Sequence, residues 1–202
     1  MERLTEGEQE ITTGLHIAKS IGPESTAGRN NLIALAYAWL AKVYLNQHDY
    51  ESASSMINQA MSIDCQPVIR GRIYMAAGDL AHTKQNEYEA VKLYKEGVHL
   101  TWEYGGESQA VDMRHRLGFA YLGVGNLKQA EIEFKSVTQQ GISIEGLHAQ
   151  FGLARIAHTK GLSDSAKEMA QEVFEKLSRL VPDHRLLEEI ADFLRELDEN
   201  RD

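Results

Sequence analysis

With 202 residues, of which 43% are apolar, the chain suits one compact domain or a short repeat array with a continuous core, and disorder is excluded. A formal net charge of −9, with no run of Lys and Arg to offset it, repels phosphate backbones and argues against direct nucleic-acid binding. The single cysteine, Cys65, rules out an internal disulfide framework and a multi-cysteine zinc site, and matches a reducing compartment.

The chain starts with MERLTEGEQE, which is charged throughout and is not followed by the apolar stretch of an export signal. Residues 3–20 predict one helix carrying Leu4, Ile11, Leu15 and Ile17, and IGPESTAGR at 21–29 predicts a loop. The most apolar stretch, LIALAYAWLAKVYL at 32–45, is too short for a bilayer span and contains Lys42, so a buried helix, no membrane segment and a cytoplasmic location are expected. From there on, apolar residues recur three and four apart and only Pro67 and Pro182 interrupt, which is the helical period. No stretch combines β-branched residues, alternation and hairpin turn pairs, so no sheet is expected. The GVGN segment at 123–126 therefore lacks the upstream strand of a phosphate loop, and also the Lys-Ser or Lys-Thr pair after its last glycine.

One frame recurs four times. A small residue at Ala41, Gly78, Gly118 and Ala154 is followed three residues later by Tyr44, Ala81, Tyr121 and Ala157. Twelve residues after it stand Ala53, Ala90, Ala130 and Ala166, and sixteen after it Ile57, Tyr94, Phe134 and Ala170. The small positions are 37, 40 and 36 residues apart, and the tetrapeptide AHTK falls at 81–84 and 157–160 in the same register of two copies. Small residues let helix backbones approach while the larger ones fill the remaining space, so each copy predicts a packed helix pair. The elbows fall at 46–50, 83–87, 123–126 and 159–164; Gly125 and Asn126 suit the left-handed end of a helix, and Ser163 or Asp164 an N-cap. After Pro182, Leu186, Leu187, Ile190, Leu194 and Leu197 form one stripe with acidic residues opposite, predicting a capping helix.

Through these residues the chain resembles the tetratricopeptide repeat (TPR) family, in the longer form of such repeats found in bacterial regulators. Its pattern of W-x2-L-G-x2-Y, then A-x3-F, is matched through Leu40, Ala41, Tyr44, Ala53 and Ile57; Ala77, Gly78, Ala90 and Tyr94; and Leu117, Gly118, Tyr121, Ala130 and Phe134. Tyr37, Tyr74, Arg114 and Gln150 stand where the family favours Trp, and the closing proline is missing from its usual place. The resemblance implies an all-α, right-handed superhelical solenoid of about four helix hairpins at 30–66, 67–106, 107–143 and 144–182, with a helix and loop at 1–29 and a capping helix at 183–202.

The family presents the first helix of each pair along an inner groove, which implies a protein or peptide partner. Helical spacing places Lys42 and Asn46 there, then Arg72, Met75, Asp79 and His82, then His115, Phe119 and Leu122, and finally His148, Phe151, Arg155 and His158. Apolar anchors mixed with Arg, Asp and His suit an extended or helical peptide with both kinds of side chain. The paired Lys and Asn donors that grip a terminal carboxylate are not reproduced. The four groove histidines lack the i, i+4 pairing of a helical zinc site, so neither a metal nor a cofactor is expected, although a pH-sensitive groove remains open. Trp39 and Trp102 are expected in a core or between repeats. No spacing makes a nucleophile and base legible, so the chain reads as a scaffold and not an enzyme. The resemblance further implies the sensor or interaction region of a larger signalling protein, extending upstream of Met1. The competing reading is a small-ligand or enzymatic site around Phe119, Phe151 and His158.

Overall fold

The computed structural model describes residues 2–22, 26–140 and 143–199, and the side chains from Glu6 onward within them; Leu4 and Pro23 lie outside that set. Among the described residues there are ten α-helices and no strand. In chain order they are α1 (Glu2–Ser20), α2 (Thr26–Asn46), α3 (Tyr50–Met61), α4 (Pro67–Thr83), α5 (Glu87–Glu103), α6 (Glu107–Gly123), α7 (Leu127–Thr138), α8 (Ile144–Thr159), α9 (Ser163–Leu180) and α10 (Leu186–Glu199). The expected loop at 21–29 is shorter than the sequence indicated, because α2 starts at Thr26. Gly28 costs that helix only about 1 kcal/mol relative to Ala, too little to end it.

The chain divides into two compact units, Met1–Met113 and Arg114–Asp202, with the division inside α6. In the first, α2 packs on α1, α3 and α4, and α4 packs on α5. Its core gathers Leu15, Ala34, Tyr37, Leu40, Ala60 and Ile73 on one side, and Ala41, Ala53, Ile57, Ala76 and Leu80 on the other. In the second, α8 packs on α7 and α9, and α10 on α9. There Leu147, Phe151, Val173 and Leu177 meet Leu186, Ile190, Phe193 and Leu197 of α10, so the apolar stripe of the last helix is covered. Phe193, which the predicted stripe omitted, is its aromatic member.

Four elbows of three residues close the hairpins, at 47–49, 84–86, 124–126 and 160–162, and they share one geometry. The middle residue is left-handed in each: His48 (φ 61°), Gln85 (58°), Gly125 (74°) and Gly161 (79°). The third residue's N–H reaches back to a carbonyl five residues earlier, from Asp49 to Tyr44 (2.9 Å), Asn86 to Ala81 (2.9 Å), Asn126 to Tyr121 (2.8 Å) and Leu162 to Ala157 (2.9 Å). These are Schellman closures, which satisfy carbonyls that a helix end otherwise leaves open.

The same third residue opens the next helix. Asp49, Asn86 and Asn126 each accept the N–H three positions on, at 3.0, 3.4 and 3.2 Å. Asn126 is thus an N-cap and not a left-handed helix end; that task falls to Gly125 alone. The expectation of Ser163 or Asp164 as N-cap is also corrected: the uniform elbow puts Leu162 in that position, where its side chain has nothing to offer.

The helix crossings explain the sixteen-residue pairing. A Cβ at Gly78 would lie 2.5 Å from Tyr94 Cε1, and one at Gly118 2.5 Å from Phe134 Cε1. Where the small residue is Ala41 or Ala154, the partner shrinks to Ile57 or Ala170. The residues twelve after the small position, Ala53, Ala90, Ala130 and Ala166, are fully buried.

Candidate functional site

In the first unit the aromatic and basic side chains of α2 and α4 converge. Trp39 is 41% and Trp102 50% exposed, so neither takes the core position that was one of the two expected, while Trp39 does meet the first helix of the next hairpin through Arg72. Lys42 Nζ stands 5.4 Å from the centre of the Trp39 ring and the Arg72 guanidinium 6.0 Å from it, both within cation–π range. Arg72 Nη2 also donates to the Gln109 side-chain oxygen at 2.8 Å, once that amide is oriented by its neighbours. Asn46 is exposed one turn beyond Lys42, and Met75 is half-buried. Two other expected groove residues serve their own hairpin: Asp79 accepts the buried Tyr94 hydroxyl at 2.7 Å, and His82 lies 2.9 Å from Glu87 across the elbow.

The second unit contains a cleft of about 640 Å³ between α8, α10 and the elbow at Gly125. Leu122, Leu127, Phe151 and Phe193 form its apolar lining; Arg155 and His158 stand on the α8 wall, and Glu189, Asp192 and Glu196 on the α10 wall. The three carboxylates are at i, i+3 and i+7, so helical geometry puts them on one face. The structure therefore brings together Leu122, Phe151, Arg155 and His158 from the expected set. Phe151 is only 2% exposed and stacks edge-on against Phe193 at 5.5 Å, so it is core with one edge in the cleft. His158 likewise meets Phe193 edge-on at 5.6 Å, and its buried Nδ1 has no hydrogen-bond partner. The Arg155 guanidinium sits 6.0 Å from the Phe119 ring, and Phe119 packs edge-on against Phe134 at 4.9 Å.

Sequence reasoning missed the α10 wall, because an acidic face opposite an apolar stripe reads as a solvated surface. The spacing of Glu189, Asp192 and Glu196 gave the face; only tertiary packing shows that a cleft lies beneath it.

His82, His115 and His148 do not line this cleft, and the last two form a cluster of their own. His115, 7% exposed, lies 5.4 Å from His148, which lies 5.3 Å from His184, a residue not singled out in the sequence. Burial holds the His115 imidazole well below its ordinary pKa, with the Arg116 and His148 charges adding in the same direction. His184 Nδ1 accepts the Leu186 N–H at 3.2 Å at the start of α10. Among the described residues no group of three or more His, Cys, Asp or Glu is placed to hold a metal ion. Nor is any described helix long and apolar enough to cross a membrane.

Comparison with known proteins places this architecture. A family model described as "Tetratricopeptide repeat" matches residues 34–65, which covers α3 and most of α2. The crystal structure of BtubC (BKLC) from P. vanneervenii is similar with a TM-score of 0.67 at 13% identity, over 98% of this chain and 91% of that one. The nearly identical TPR-like repeats of a putative kinesin light chain from Podosopora anserina superpose with a TM-score of 0.60 at 17% identity, over 89% of each chain. In sequence, the transcription activator GutR of Bacillus subtilis (strain 168) is 24% identical over 195 residues, 95% of this chain and 23% of that protein. The chain thus spans about a quarter of the length of that relative.

Proposed function

We propose that this chain, an all-helical protein of tetratricopeptide-like hairpins, binds a protein or peptide through the faces of its first-of-pair helices and carries no catalytic activity of its own. The cleft beside α8 is the observation that carries this reading. An apolar floor between a basic wall and an acidic wall fits a segment that offers an apolar side chain flanked by charges of both signs. The first unit offers Lys42, Asn46, Arg72 and Met75 to the same function, and the second Phe119, Leu122, His148, Phe151, Arg155 and His158, while Asp79, His82 and His115 hold the helices that present them. GutR supports a narrower version, in which the module is the sensor or interaction region of a larger cytoplasmic regulator.

The test is selection of peptides from a random display library on residues 1–202, followed by affinity measurement against Arg155→Glu and Glu196→Lys. Charge reversal at a contacted wall should weaken selected peptides tenfold or more, since a charge-assisted hydrogen bond contributes about 1.5–3 kcal/mol. Unchanged affinity in both variants would remove the cleft from the site. A cleft of this volume also falls in the range of small-molecule sites, about 300–1,000 Å³. A metabolite that raises the melting temperature of the wild type but not of Arg155→Glu would favour that second reading.

A further inference from the structure

The patch around Trp39 is distinct in chemistry from the α8 cleft. Leu32 and Trp39 are seven residues apart on α2 and therefore share a face; they are 52% and 41% exposed. Two turns of helix separate them by about 10 Å. At one end of this apolar strip stand Lys42 and Arg72, neither of them in an ion pair among the described residues. Some cations elsewhere meet carboxylates, Lys135 and Lys160 with Glu131 and Lys176 with Glu172, and others donate within the fold, Lys19 to the Tyr37 hydroxyl and Arg70 to the Met61 and Ile63 carbonyls; Lys42 and Arg72 are set apart by flanking one exposed indole together. With 30 Asp and Glu against 21 Lys and Arg, carboxylates are in excess. Two cations held together over an exposed indole, with no carboxylate of their own among the described residues, are charge-complementary to an anionic group from outside. An exposed cation–π contact is weaker than a hydrogen bond to a charged group, so an incoming carboxylate competes well for both cations.

We infer that the Leu32, Trp39, Lys42 and Arg72 surface docks an acidic segment of a partner protein, with an apolar side chain laid along Leu32 and Trp39 and carboxylates on Lys42 and Arg72. This rests on the reading of the chain as a peptide-binding module and names the chemistry of one of its ligands. The chain's net negative charge does not prevent it. In about 0.1 M salt, exposed charges more than roughly 10 Å away are largely screened, so the net charge of the rest of the chain acts only weakly at the patch.

Trp39 supplies its own probe, because the chain has two tryptophans and Trp102→Phe leaves Trp39 as the sole emitter. In that background a Glu-rich peptide containing two Leu residues should change Trp39 emission saturably, and the same peptide with Lys for Glu should not. Lys42→Glu combined with Arg72→Glu should weaken the acidic peptide at least tenfold, with the circular dichroism spectrum unchanged, while Arg155→Glu leaves it bound. Equal binding of the Lys peptide, or full binding by the double variant, would overturn the assignment. So would tighter binding of a short oligonucleotide than of the acidic peptide, which would make the patch a phosphate site. An acidic peptide that is lost on Arg155→Glu but kept by the double variant would refute this surface and leave the cleft as the peptide site. Failure of the display selection, by contrast, would bear on the module as a whole.

Discussion

Gly118→Ala tests the crossing geometry most directly, because two opposing effects of known size meet there. In an open helix the change adds about 1 kcal/mol of helix propensity. Here the new Cβ would stand 2.5 Å from Phe134 Cε1 and 2.7 Å from Cδ1, where ordinary contact begins near 3.4 Å. The ring would have to retreat by about 0.9 Å, the difference of those distances. It has nowhere to go: Phe134 is fully buried and its far edge lies as close to the space over Gly152. Overpacking costs roughly 1–3 kcal/mol, and a ring pinned on both sides belongs in the upper part of that range, about 2–3, so the clash exceeds the propensity gain and the net loss should be about 1–2 kcal/mol. For a chain of this length that lowers Tm by about 2–4 °C per kcal/mol. The sign should reverse in a Phe134→Ile background, where Gly118→Ala recreates the Ala41 and Ile57 pairing of the first hairpin and propensity alone remains. Urea midpoints for the wild type, both single variants and the double variant form the complete cycle. A Gly118→Ala effect of the same sign and size in both backgrounds would refute the account of the sixteen-residue pairing.

Other expectations concern the elbows and titrating groups. Replacing His48 or Gln85 by Gly should raise the urea midpoint, because relief of a left-handed non-glycine residue, about 1–2 kcal/mol, exceeds the added unfolded-state entropy of roughly 0.5–1 kcal/mol. Leu162→Asp should stabilise by about 1 kcal/mol by restoring the missing N-cap, whereas Asn126→Ala should cost a similar amount; both are read from thermal melts. His115 stays neutral in the fold while the unfolded chain takes up a proton below its ordinary pKa of 6.5, so acid favours unfolding: stability is full above that pH and declines below it. His115→Gln should flatten that decline in melts between about pH 7.5 and 5. Glu131, held at about 2 by hydrogen bonds from Lys135 and Lys160, has a lower window: its contribution is present above 4.5 and fades as pH falls toward 2. Because these charges are mostly solvated, Glu131→Gln should produce only a small change in that acid limb.

The helix hairpins were legible because their signal is repeated: a small residue, an alanine twelve later and a bulky residue sixteen later carry packing information that one copy would not. The boundary at Thr26 was not, since Pro23, two glycines and polar residues in one run read as loop, while Gly28 alone is too weak a breaker to stop α2. At the elbows, composition identified Gly125, but the left-handed His48 and Gln85 have no compositional mark; only the shared spacing of seven residues from the small position reveals them. For the candidate site, helical periodicity placed Lys42 and Arg72 beside one another and Leu122, Arg155 and His158 along one cleft. It could not tell that Phe151 and His115 turn into the core, that Trp39 faces outward, or that α10 contributes a carboxylate wall, because each depends on which neighbouring helix covers which face.

The close approach at Phe134 also bears on how such an array can change over evolution. Its ring is matched to Gly118 within its own hairpin, so duplication of the whole hairpin carries both halves of that fit. The same ring is matched to Gly152 in the following hairpin, as the Met113 sulfur is to Gly97 in the preceding one. Recombination that reordered the units would set an aromatic ring or a thioether against a residue bearing a Cβ. The hairpins share a plan, yet their order is fixed by these interlocking pairs, and lineages should vary by exchanging surface residues more readily than by shuffling repeats.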